Sequence, residues 1–282
     1  MKSAKTAQKI IQAVLILLMA VICLVVLFPI FFMVLTSFRT DEDVVYNGYQ
    51  LIPEVFSLGS YKGVLSATSA QPVLKWFVNS LVVATLSTVL TVFIDALAAY
   101  GYARMKFKGR DLIFTVLMFT MMIPGVINLI PTYSIVSGLH LKNTIWALIL
   151  PGLGGVGNIF LIRQFMYTVP RQLDEAAAID GAGHIRIFFG IILPQLIPVL
   201  VTVGLFTFLG SWNDLLWPMI VMTETENRTL TAGLSVLQGQ YDRRYASLMA
   251  ATVVSAVPVM TIYLFAQKYL LQGISLTSGI KD

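Results

Sequence analysis

The sequence predicts an all-α integral membrane protein with six transmembrane helices, on three observations. Of its 282 residues, 57% are hydrophobic and only 12% are charged, about half the charged share of an ordinary soluble domain. Runs free of Asp, Glu, Lys and Arg cover 10–38, 76–94, 112–139, 143–162, 187–213 and 245–267, and about 20 helical residues cross the hydrocarbon core of a bilayer. The cations divide unevenly between the connections. With the N-terminus inside, twelve of the nineteen Lys and Arg fall on inner segments, four of them between Arg104 and Arg110. Loops rich in Lys and Arg stay in the cytoplasm, so both termini are expected there. The net charge of +5 then reflects an inner-surface bias and gives no reason to invoke nucleic acid.

Residues 1–9 form a short basic N-terminus leading into the first span, 10–38. That run is far longer than the apolar core of a signal peptide, about 7–15 residues, and no small-residue cleavage site closes it. Cys23 is the single cysteine, which excludes an intrachain disulfide and a thiolate metal cluster. The segment 39–75 is expected outside. It carries Asp41, Glu42, Asp43 and Glu54 with Pro53 and several aromatics, a surface suited to an external partner or an ordinary solvated connector.

Residues 76–267 hold the remaining five runs. Asp95 lies within the helical pattern of the first of them, and an ionisable group inside a membrane marks either a transport step or a helix–helix hydrogen bond. A lone carboxylate favours the hydrogen bond and argues against an ion-driven carrier, which would carry a relay of several. The stretch Gly152–Gly157 has the spacing of a dinucleotide fingerprint, with Asp174 and Glu175 about 20 residues on, but no strand precedes it. It reads instead as a closely packed, small-residue part of the fourth helix. No phosphate-binding loop occurs elsewhere, so no nucleotide or other cofactor is expected on this chain. His140 and His184 fall on opposite sides of the expected membrane and cannot share a metal, and no serine, histidine and carboxylate converge, so no catalytic or metal site is expected. In the outer segment 213–247, the apolar run Leu215–Met222 is too short to span and is expected at the interface or dipping into a vestibule. Asn227-Arg228-Thr229 matches a glycosylation triplet, a pattern that arises often by chance. Residues 268–282 form a cytoplasmic tail.

Between the fourth and fifth runs, 163–190 is the most informative connection. Pro170 can open a helix, and Glu175 lies in its early part, where a carboxylate suits the positive end of the dipole. Ala176, Ala177 and Ala178 are strong helix formers with almost no side chain, so another surface can approach closely. Gly181 and Gly183 permit a sharp turn, and Leu193-Pro194 begins re-entry into the next run. The pattern is helix, turn, helix, with a small exposed face and one acidic residue.

Glu175, Ala176 and Ala177, then Gly181 flanked by Asp180 and Ala182, then Leu193 and Pro194, resemble the EAA signature of ABC importer permeases. Other stretches share the likeness: Ala98-Ala99-Tyr100, Ala103-Arg104, Phe107-Lys108-Gly109-Arg110, Met122-Ile123-Pro124, Leu129-Ile130-Pro131, Phe160–Phe165, Ser211–Asp214, Leu237–Tyr241, and Gln267-Lys268-Tyr269 with Gly273. From Ser37 to the C-terminus the chain is similar to the smaller, six-helix permease subunit of maltose-type carbohydrate importers. It departs from them at Gly183, where Ser is common, at Asp95, where a small or hydroxylated residue is usual, and at Tyr245, where Trp is frequent.

The resemblance implies a type I ABC importer permease fold in a bacterial or archaeal cytoplasmic membrane. It implies alternating access, with the 175–194 motif acting as the coupling loop. The implied partners are a second permease forming a heterodimer, two cytoplasmic ATPase subunits holding ATP-Mg, an extracytoplasmic solute-binding protein and membrane lipid. Asn128, Thr132, Trp212 and Asn213 are candidates for the translocation pathway, since sugars favour aromatic platforms and amide hydrogen bonds; interhelical packing is the competing reading for each. A secondary, ion-coupled carrier, or the same importer class with a polyol or glycerol phosphate as solute, are the alternative functions.

Overall fold

The computed structural model describes residues 2–48, 50–53, 55–66, 71–239 and 244–277, without the side chains of 2–7 and 270–277. Glu54, Gln240, Tyr241 and the tail from 278 onward, all read in the sequence, lie outside the described residues. The chain is 79% helix, with no strand among the described residues. The helices in chain order are α1 (Lys2–Ser37), α2 (Asp41–Tyr46), α3 (Gly59–Leu65), α4 (Val73–Arg104), α5 (Arg110–Thr120), α6 (Leu129–Gly138), α7 (Ile145–Ile149), α8 (Val156–Met166) and α9 (Gln172–Ile179). They continue with α10 (His184–Ile187), α11 (Leu193–Gln195), α12 (Ile197–Asn213), α13 (Leu216–Val221), α14 (Leu230–Gly239) and α15 (Tyr245–Thr277).

Three helices, α1, α4 and α15, are each long and apolar enough to cross a membrane unbroken. The other three runs are each broken into a bent pair, so the described residues hold three unbroken spans, or six if each bent pair is one span. Arg110–Thr120 meets Gly125–Gly138 at 93°, Ile145–Gly152 meets Val156–Met166 at 49°, and His184–Gln195 meets Ile197–Asn213 at 79°. Proline stands at each break: Pro124, Pro151, and the Pro194/Pro198 pair. Proline lacks the amide hydrogen a helix needs, while Leu150 and Leu193, which precede Pro151 and Pro194, keep right-handed helical dihedrals. At the second break Gly154 adds a left-handed φ of 84°. The supposed small-residue stretch of a helix is thus the break itself.

The chain divides into two units, Met1–Leu74 with Val236–Ala256, and Lys75–Ser235 with Val257–Asp282. In the first, the apolar stretch of α1 is wholly unburied within the chain. Past its end, Arg39 is 1% exposed. Its guanidinium donates to the Asp43 carboxylate and to the carbonyls of Asp43, Asn47 and Gln50. This guanidinium, with the Asn47 amide, holds the Asp43 carboxyl below the usual carboxylate range. Asp41 accepts hydrogen bonds from the amides of Ala246 and Ser247 and from the Ser247 hydroxyl, capping the start of α15 from a distant part of the chain. The acidic cluster read as an outward surface is therefore largely internal: Asp41 and Asp43 are spent on the fold, and Glu42 alone of the three is exposed.

In the second unit one buried cluster lies beneath the 167–196 region, and a smaller one joins Val136, Ala147, Val221 and Met222. The larger takes Ala96, Ala99, Tyr100 and Ala103 from α4, Phe114 from α5, Ile159, Ile162 and Met166 from α8, Ala177 from α9, and Val199 and Val203 from α12. The α4 members recur at helical spacing and are mostly alanine, a composition that lets membrane helices approach closely.

Candidate functional site

The 167–196 region folds as an elbow. α9 starts just beyond Pro170, with Asp174 and Glu175 in its first turn. It ends in a Schellman motif: the Ala182 amide donates to the Ala177 carbonyl at 2.9 Å and the Gly181 amide to the Ala178 carbonyl at 3.1 Å. That closure requires a left-handed residue at its second-last position, and Gly181 has φ of 81°. No heavy atom lies within 4 Å of a Cβ built there, so glycine is demanded by the backbone alone. Gly183 has φ −75° and ψ 165° as N-cap of α10, a conformation open to any residue. The expectation that it shares the turn is corrected. After α10 a π turn, Phe188–Ile192, leads to Leu193 and Pro194 in α11, with Leu193 packed against the core and Pro194 exposed.

The two faces of the elbow differ sharply. Inward, Ala177 is buried in the core, and Ala182, Ile187 and Phe188 pack with it. Arg104, in the last turn of α4, is the principal clamp. Its Nε lies 3.1 Å from the Asp174 carboxylate, and its Nη2 donates to the carbonyls of Met166 (3.1 Å) and Val169 (2.7 Å). Arg171 returns the bond, donating to the Ala103 carbonyl at 3.2 Å. Arg163 lies over the Phe114 ring at 3.8 Å, linking α8 to α5. Outward, Glu175, Ala176, Ala178, Asp180 and Gly181 are exposed. Ile179 is 86% and Ile185 77% exposed. The Glu175 carboxylate makes no hydrogen bond or ion pair among the described residues. Large apolar side chains are thus held outward beside free charge on this face. Arg171, Ile179 and Ile185 were not singled out in the sequence, and Arg104 and Asp174 were named there without this pairing; the available signal was the arginine ending α4 and the two isoleucines flanking the turn.

Asp95 is fully buried, and its Oδ2 accepts from the Gly155 amide at 3.3 Å. The helix–helix hydrogen bond expected of it is present. Neither Asp95 Oδ1 nor the hydroxyl of Thr91, one turn earlier, has a partner among the described residues.

The four pathway residues are not brought together. Trp212 is 2% exposed, with Phe208 stacked on its ring and Phe77 edge-on, both at 5.7 Å. The ring is closed by its own chain, which favours the packing reading over a sugar platform. Asn128 and Asn213 are exposed and Thr132 half-buried, with no hydrogen bond joining them among the described residues. The Leu215–Met222 run is α13 with its flanks, anchored by Trp217 Nε1 donating to the Ala147 carbonyl at 2.9 Å. Beyond it Asn143, at φ 60°, forms a knot. Its Oδ1 accepts from the amides of Thr223 and Glu224, at 2.8 and 3.1 Å, and its carbonyl accepts from the Asn227 side chain. The asparagine of the glycosylation-like triplet is thus already engaged.

These features define a class: an all-helical membrane protein with broken spans and a rigid elbow whose outer face is free. Residues 91–276 match the model of the family described as binding-protein-dependent transport system inner membrane component, and the chain belongs to that family. It is 36% identical over 260 residues to the arabinooligosaccharides transport system permease protein AraQ of Bacillus subtilis, covering 92% of each. It is 34% identical over 269 residues to the trehalose/maltose transport system permease protein MalG of Thermococcus litoralis, covering 93% of each. Among solved structures it matches a chain of a bacterial ABC transporter that imports the acidic polysaccharide alginate, with a TM-score of 0.78 and 23% identity over 93% of this chain and 97% of that one. The fold is that of a type I ABC importer permease, and the chain is a permease component of such a transporter.

Proposed function

We propose that this chain is the permease subunit of an ATP-driven importer that moves a sugar across the cytoplasmic membrane by alternating access. Six spans, with both termini and the elbow in the cytoplasm, complete the topology, each bent pair counting as one span. The observation that carries the reading is the elbow's division of labour. Its inner face is clamped by Arg104 and Arg171, and its outer face offers Glu175, Ile179 and Ile185 to a separate ATPase. Reversing a two-state equilibrium from 1:99 to 99:1 takes about 5.5 kcal/mol of differential interaction, which a rigid elbow can transmit and a loose linker would dissipate. The solute class is supported by relatives named for arabinooligosaccharides and for trehalose and maltose. A polyol or glycerol phosphate would suit the same machinery. The partners are a second permease, two ATPase subunits that hold ATP-Mg, and an extracytoplasmic solute-binding protein; this chain binds no nucleotide.

The test is reconstitution in liposomes with the permease, ATPase and binding protein encoded beside it, using labelled arabino- and malto-oligosaccharides. Uptake is expected to require both ATP and the binding protein. Uptake by this chain alone, driven by an ion gradient, would replace the proposal with a secondary carrier.

A further inference from the structure

Helix α8 leads directly into the elbow, and both of its ends are held by one neighbour. At its start, the amide of the N-cap Gly155 donates to Asp95 of α4; at its end, Arg104 of α4 holds the carbonyls of Met166 and Val169. The signs match the helix dipole, with a carboxylate at the positive end and a guanidinium at the negative end. The two pins stand nine residues apart on α4, about 14 Å along its axis. The upper pin is tightly packed: a Cβ at Gly155 would stand 3.3 Å from the Asp95 carboxylate and 2.6 Å from the Asn158 amide nitrogen. Immediately before it lies the 49° break, with Gly154 in left-handed geometry.

We propose that Asp95 is a positioning residue that makes α4 and α8 a single strut, so that displacement of the elbow is delivered to the break at 150–155. Without the upper pin, α8 shifts along α4 and the displacement is absorbed before it reaches the break. The inference rests on the reading of the elbow as the ATPase contact. It assigns Asp95 a task that helix packing alone does not require, since Arg104 and the core already hold α8 to its neighbours.

The test uses the assembled transporter carrying Cys23→Ala and Gly152→Cys, the latter an exposed position with no heavy atom within 4 Å of an added Cβ. Maleimide labelling at that cysteine is timed with and without vanadate-trapped nucleotide. Trapping is expected to change the rate at least fivefold in the parent. With Asp95→Ser added, whose hydroxyl can turn back to its own helix and leave no orphaned group, the change should fall below 1.5-fold while ATP hydrolysis stays within twofold. Asp95→Asn, whose amide oxygen still accepts from Gly155, should restore the response.

A full response in Asp95→Ser overturns the strut, as does a parent whose labelling ignores trapping. Failure of Asp95→Asn to restore the response overturns it too, because charge rather than the pin is then at work. If neither Asp95 variant assembles, Asp95 serves folding and the proposal is likewise overturned. Gly181→Asp in the same assay separates the two readings: if it retains the ATPase and the full response, the elbow reading is at fault, and the strut falls with it.

Discussion

The elbow at 167–196 and the knot around Asn143 are both irregular connections within one unit, yet they spend their polar groups in opposite ways. The Asn143 knot turns inward. The side chain and backbone of one asparagine bind Val221, Thr223, Glu224 and Asn227, and Trp217 is tied to Ala147. The elbow is fastened along one side only, through Arg104, Arg171 and Ala177, while Glu175, Ile179 and Ile185 stay free. A connection that completes a fold satisfies its own groups. One that transmits force, as proposed for the elbow, needs a stiff inner face and an outer face left for another protein.

Breaking the fastened side of the elbow should have the largest effect. Arg104→Ala leaves Asp174 without its ion-pair partner and two carbonyls without their donor, and removing one member of a buried ion pair typically costs about 3–5 kcal/mol. Thermal unfolding of the purified transporter should fall well below wild type, and an unchanged midpoint would mean that the clamp is not what holds the elbow. Cutting the knot should cost less and act elsewhere. Asn143→Ala removes several hydrogen bonds and is expected to cost about 1–3 kcal/mol, with ATPase retention unchanged; loss of the ATPase would erase the contrast between the regions. The smallest effect is a gain. Gly183→Ser offers α10 the side-chain cap it lacks, worth a few tenths of a kcal/mol at about the usual Ser-over-Gly difference, and uptake should stay at the wild-type level.

The apolar runs made the membrane helices readable in the sequence, because hydropathy depends on composition alone. The bends were not readable to the same degree. Pro124 and Pro151 signal a break but not its angle, and a run such as 112–139 is equally apolar straight or bent at 93°. Gly181 was readable because few residues other than glycine tolerate its φ. Gly183 was misread by the same reasoning, since its residue type suggests a freedom that its extended backbone does not use. Arg104 and Asp174 are 70 positions apart, and only folding brings them together. Trp212 looked like a sugar platform because its residue type fits that role; the two phenylalanines that enclose it come from distant and local positions alike, Phe77 and Phe208.

The central claim is that the elbow's outer face, and not the body of the helices, couples this chain to an ATPase. Gly181→Asp tests it most directly. The substitution meets no steric obstacle, so it adds about 1–2 kcal/mol of left-handed backbone strain and a negative charge on the exposed face. Membrane helices satisfy their backbone groups internally, so insertion and pairing with the second permease should survive. Co-purification with the ATPase and oligosaccharide uptake should both fall by at least tenfold. A Gly181→Asp transporter that holds its ATPase and imports at the wild-type rate would contradict the account.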